Sequence, residues 1–163
     1  MDRDDMRMLA AHLQWADRRV ADALLPLAPA VVSRPLPSSH GSLLATAAHL
    51  FGAEWTWLER VRGHSPAQVG PPEGVARLDD LLSRWPAVWE GWRKVAETAD
   101  PGAVVAYRTT AGAPHATTLA HVLLHVALHS AQYRGQVAAM LRSLGLPAPG
   151  TDLIAYLRRP PGG

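Results

Sequence analysis

Apolar residues return at intervals of three and four along four stretches of the chain, each bounded by prolines or glycines. Between Asp4 and Leu25 they are Met8, Leu9, Leu13, Trp15, Val20, Leu24 and Leu25, a recurrence that lays one apolar stripe along an amphipathic helix. Pro26 and Pro29 end it. Residues 26–38 hold four prolines and no helical period, which predicts an extended connection. A second helix is expected from about His40 to Arg62, capped by Ser38 or Ser39 and closed by Gly63. Leu43, Leu44, Ala47, Leu50, Phe51, Trp55 and Leu58 form its apolar side.

Residues 63–77 contain three prolines and three glycines and read as a loop. About 15 extended residues span roughly 50 Å, more than a helix of about 20 residues, so this loop can act as a crossover as well as a local turn. A third helix is expected from about Asp79 to Thr98, with Pro86 as a kink or as the start of a second helical piece. Val104, Val105 and Tyr107, with Ala111-Gly112 and Thr117-Thr118 beyond, predict a hairpin or irregular excursion. Thr117 or Thr118 then caps the longest helix, about Leu119 to Leu144, which Gly145 stops. Residues 152–157 predict one or two more helical turns. The fold expected is all-α: a four-helix bundle with a small hairpin-like excursion before the last long helix. It forms one domain over residues 1–158, with a disordered tail at 159–163.

Composition sharpens this picture. At 163 residues, 48% apolar and 18% charged, the chain is sized for one domain with a real core, which excludes a disordered protein. It has no cysteine, which removes disulfides, thiolate metal sites, iron–sulfur clusters and a cysteine nucleophile together. Eight histidines stand against 14 acids, so imidazole is the remaining strong nitrogen ligand. The formal charge is only +2, and the arginines are scattered with no long run of like charge, which argues against a nucleic-acid partner. The charged start Met1-Asp2-Arg3-Asp4-Asp5 and the lack of a long uncharged apolar run point to a cytoplasmic protein with no membrane partner.

His121, His125 and His129 recur every four residues on the last helix, and Tyr133 continues the row. Neighbours in such a row differ by about 40° in azimuth and about 6 Å in height, so two adjacent members can share one ion. Members eight apart, about 12 Å along the axis, cannot both reach a metal at about 2.1 Å. A further ligand must come from another helix, and His49, inside the apolar stretch Leu43–Phe51, is the candidate. Val126, Ala127 and Leu128 follow His125, so the H-E-x-x-H pattern of zinc proteases is absent. His12, His40, His64 and His115 fall at helix starts or in loops and are expected at the solvated surface.

The string His125-Val-Ala-Leu-His129-Ser-Ala-Gln-Tyr133-Arg134-Gly135-Gln136-Val137, with Met140 to Gly145 after it, resembles the last-helix signature of the DinB / YfiT-like superfamily of metal-dependent enzymes. His12 to Val20, Gly41 to Leu58 with His49, Glu54 and Trp57, and Thr151 to Ile154 are similar to the rest of that pattern, so the resemblance covers nearly the whole chain. It implies up-down-down-up connectivity and a triad of one histidine from the second helix and two, four apart, from the last. Position by position these fall on His49, His129 and Tyr133, so a phenol stands where the family has its third imidazole. A neutral phenol, with a pKa near 10, is a poor ligand unless the metal deprotonates it.

Three outcomes are expected from that departure. His125, one turn from His129, completes a three-imidazole set suited to Zn, Ni or Fe, and is ranked first. Tyr133 binds as a phenolate to a harder centre. Or two histidines are too few and the metal is absent. The resemblance implies a metal-dependent transferase or hydrolase acting on a small molecule, in some relatives with a low-molecular-weight thiol as cosubstrate, and a homodimer. The alternative is a non-catalytic, stress-associated metal- or ligand-binding bundle that has lost the full triad. Arg134 is expected to pair with an acid such as Asp17 or Glu54, Gly135 to permit close helix approach, and Gln136 to bond across the core. Trp15, Trp55, Trp85, Trp89 and Trp92 are expected in the core.

Overall fold

The computed structural model describes residues 1–160. Six helices and one hairpin follow in the order α1 (Arg3–Leu24), α2 (Pro29–Val32), α3 (Leu43–Val61), α4 (Leu78–Thr98), β1 (Val104–Arg108), β2 (Pro114–Thr118), α5 (Leu119–Ser143) and α6 (Leu153–Leu157). Residues 161–163, the end of the tail expected to be disordered, lie outside the described residues. None of the described helices is long and apolar enough to cross a membrane.

Local chemistry sets the helix ends. Asp2 and Asp5 cap α1 reciprocally, each side chain accepting from the other's backbone N–H at 2.9 and 3.0 Å. The stretch expected to be an extended connection instead forms the single turn α2, because Pro29 at the first helical positions is already set in φ, and Val32 drops into the core. The second long helix begins at Leu43, not His40. Gly41 takes φ +78°, which a right-handed helix cannot include, and Ser42, rather than Ser38 or Ser39, caps α3 by accepting from Ala45 N–H at 3.1 Å. Pro86 lies within a continuous α4 and faces outward. The hairpin pairs antiparallel from Val104 with Thr118 to Arg108 with Pro114, and Thr118 caps α5 directly.

Both α1 and α3 pack against α4 and α5, so the four long helices close a ring with successive helices α1 and α3 on a diagonal. Side-chain partners give the directions. Phe51 meets Trp85 and Leu58 crowds Gly91, so α3 and α4 run parallel. His49 meets His129 while Trp57 meets His125, so α3 and α5 run antiparallel. Arg18 lies over Trp89 and Leu25 lies near Leu82, so α1 opposes α4. This is the up-down-down-up arrangement. It requires the 63–77 loop to return along the bundle, and Gly52 marks its path: a Cβ there would lie 2.2 Å from the backbone of Gly70.

Trp85, Trp92, Phe51, Met6 and Leu13 fill the centre of the bundle. Trp89 joins them, whereas Trp15 and Trp55, also expected in the core, are only half-buried at its edge. Hydrogen-bonded polar side chains are enclosed with them. Arg134 donates to Asp17 Oδ1 at 2.8 Å. Glu54 accepts from Trp85 Nε1 at 2.8 Å and from Ser130 Oγ at 2.7 Å, and burial raises its pKa well above the usual carboxylate range. Gly135, expected to allow close helix approach, is exposed, and no atom of another element lies within 4 Å of where a Cβ would stand; Gly52 and Gly91 are the helical glycines that admit close neighbours.

Candidate functional site

A cluster of imidazole and phenol rings occupies the seam between α3 and α5. His49, from the apolar face of α3, has its ring centroid 5.3 Å from that of His129 and 4.5 Å from that of Tyr133. His129 and Tyr133, one turn apart on α5, are 4.6 Å from each other. The structure thus brings together His49, His129 and Tyr133. His125 touches His129, at 5.7 Å, but leans on Trp57 at 5.0 Å; among the described residues no ring contact joins it to His49. His121, first in the row, is exposed.

The fourth ring of the cluster is His40, which the sequence pattern assigned to the solvated surface. Because α3 starts only after Gly41, His40 stays in the preceding turn and folds back over the helix. It stacks on His49 at 4.2 Å and lies 5.3 Å from Tyr133. Its neighbour Ser39 donates to Gln136 Oε1 at 2.9 Å, which ties this turn to α5 close beyond Tyr133. The predicted cross-core bond of Gln136 is therefore a link between loop and helix. The signal for His40 was present in His40-Gly41-Ser42: a glycine needing positive φ beside a better cap.

His12 also departs from the expected surface position. It is 6% exposed, bonds to the Thr151 carbonyl at 3.0 Å and packs near Trp15 and Tyr156, so it pins α6 to α1 rather than joining the cluster. His64 and His115 are exposed, as expected.

Burial disfavours the charged form of three of the imidazoles here. Desolvation first, and then its histidine neighbours, bring the His129 pKa down to about 4. Burial and His40 lower that of His49, while burial and the Arg60 charge lower that of His125. A lone pair is therefore available on His49, His125 and His129 at neutral pH.

The donor set can be weighed against a metal ion. His40 Nε2 and His49 Nε2 are both enclosed, and neither has a hydrogen-bond partner. An unmet buried nitrogen costs about 1–3 kcal/mol, which a cation or ligand donor would offset. Neutral imidazoles beside a phenol oxygen are suitable chemistry for a borderline or hard divalent ion. The spacing is less complete: among the described residues no three His, Cys, Asp or Glu side chains form a ready cage. The residues fit in donor type, with Tyr133 supplying the oxygen that a three-imidazole set would replace.

A helical bundle with a polar site formed by side chains of facing helices is a recurrent class of protein architecture. This chain is one of its members. It matches the DinB family over residues 1–161 and belongs to that family. Among curated proteins, none matches it.

Proposed function

We propose that the protein is a metal-dependent enzyme of transferase or hydrolase type, with a divalent ion (Zn, Ni or Fe) held by His49 and His129 and flanked by Tyr133 and His40. One observation carries this reading: His49 Nε2 is buried without a partner in a space walled by the other three rings. When bound, such an ion supplies Lewis acidity toward a water, thiol or electrophile. The chain's own residues do the rest. Burial keeps His49 and His129 unprotonated, the His40 stack fixes the His49 ring, and Tyr133 packs its phenol ring against both. His125, more exposed and resting on Trp57, is placed to accept a proton at the edge of the site. Lacking cysteine, the chain would take any thiol as a low-molecular-weight cosubstrate.

Elemental analysis of untagged protein tests the proposal. Near-stoichiometric metal in the parent, lost in His49→Ala and in His129→Ala, is the expected result. If Tyr133→Phe weakens retention more than His125→Ala, Tyr133 is the third donor; the reverse order assigns that place to His125. The lack of a ready three-residue cage favours a second reading, a non-catalytic bundle that has lost the triad. Substoichiometric metal in the parent under replete conditions would select it.

A further inference from the structure

Two arginines are buried among the described residues, and their surroundings differ. Arg134, 1% exposed, is paired with Asp17 at 2.8 Å. Arg60, 4% exposed near the end of α3, has no ion-pair partner among the described residues. Its guanidinium carbon lies 4.4 Å from the Trp57 ring centroid and 4.9 Å from that of Tyr107 on β1, and its Nε is enclosed with no hydrogen-bond partner. Aromatic faces attract a cation, but they give the enclosed Nε–H no acceptor. Placing an arginine there without an anion is costly, and a planar two-oxygen group is the natural complement of its fork.

The position of Arg60 gives that anion a place. Trp57, which carries Arg60 on its face, also carries His125 at 5.0 Å, and His125 leads to His129 at 5.7 Å. Tyr107 meets Trp57 edge-on, with centroids 5.0 Å apart, and lies beside the same guanidinium. We propose that Arg60 binds the carboxylate of a small organic acid, whose body lies along Trp57 and Tyr107 and extends past His125 toward the His49–His129 cluster. The acid is held by paired N–H···O bonds from the guanidinium, and the aromatic walls favour a flat, apolar body. That this acid is the substrate rests on the proposed function; its binding to Arg60 does not.

Titration of EDTA-treated protein with sodium benzoate separates the two, followed on the Arg60 Nε–H and Trp57 indole N–H signals in 1H–15N spectra. Saturable displacement of both signals is expected in the parent. On the Trp57 signal, binding should be at least about tenfold weaker in Arg60→Lys, which keeps the charge but loses the fork, and absent in Arg60→Gln. Inorganic phosphate should displace the parent signals less. No saturable change in the parent would overturn the proposal, even if Arg60→Gln fails to fold. So would equal binding by Arg60→Lys, or a preference for phosphate. Benzoate binding, together with substoichiometric metal in the untreated parent under replete conditions, would leave this site standing and remove the metal-dependent reading.

Discussion

His40 and His49 stack with centroids 4.2 Å apart and planes inclined by 22°, although one lies in a loop and the other within α3. The turn carrying the loop ring is closed on itself by Gly41 N–H donating to Ser38 Oγ at 3.0 Å, and it is tied to α5 by the bond from Ser39 to Gln136.

Removing that bond should loosen His40 before anything else. Gln136→Ala is expected to cost about 1 kcal/mol, the usual net worth of one hydrogen bond. The more specific readout is chemical: diethyl pyrocarbonate labelling of His40, mapped by mass spectrometry, should rise while labelling of His12 stays low. Unchanged His40 labelling would show that the stack does not depend on Ser39 and Gln136.

Protonation of His129 should oppose folding in mildly acidic solution. Its folded pKa is about 4, below the ordinary value of about 6.5. Between those two values the unfolded chain binds the extra proton, so stability falls as pH drops through that window and levels off below it. Glu54, with a raised pKa, acts in the opposite sense: its contribution is full below the unfolded carboxylate pKa and is lost as pH rises through the folded one. Urea midpoints of metal-free parent and His129→Gln, compared from pH 7 to pH 4, isolate the histidine. The parent should lose more stability over that range.

The enclosed Arg134–Asp17 pair should respond non-additively. Asp17→Asn or Arg134→Met leaves one charge uncompensated in the core, which costs about 3–5 kcal/mol. The double variant should lose clearly less than the sum of the two, as measured by urea unfolding. Simple additivity would mean that the two side chains act independently.

Two glycines in helices should answer in opposite directions. Gly135→Ala adds a methyl group to open space on α5, so it is expected to stabilise by about 0.5–1 kcal/mol through helix propensity. Gly52→Ala drives a methyl into the Gly70–Pro71 backbone and should destabilise by about 1–3 kcal/mol despite the same propensity gain. Thermal unfolding of the two variants checks both signs.

The long helices were legible because their apolar positions repeat with the helical period, and the caps at Thr118 and the stop at Gly145 were local chemistry. Arg134 was expected to pair with an acid such as Asp17 or Glu54, and the fold selects Asp17. The position of His40 did not, because one residue's φ at Gly41 moved the start of α3 past it, and stacking across a loop leaves no periodic trace. His12 was hidden for a related reason: its partner, Thr151, is 139 positions away. Arg60 looks like any last-turn cation in sequence; only the hairpin folding Tyr107 over it reveals that it is enclosed.

Of the four rings gathered at the seam of α3 and α5, only His40 is supplied by a connection rather than a long helix. Residues 33–42 can therefore be exchanged as a unit, provided a capping side chain is kept at position 42, while the buried pairs of α1, α3 and α5 stay in place, since connections tolerate changes of length that packed helices do not. The bundle behaves as a fixed chassis and this turn as a replaceable cassette. Chains sharing the scaffold can then differ in what the cluster accepts through a change in a stretch of ten residues alone.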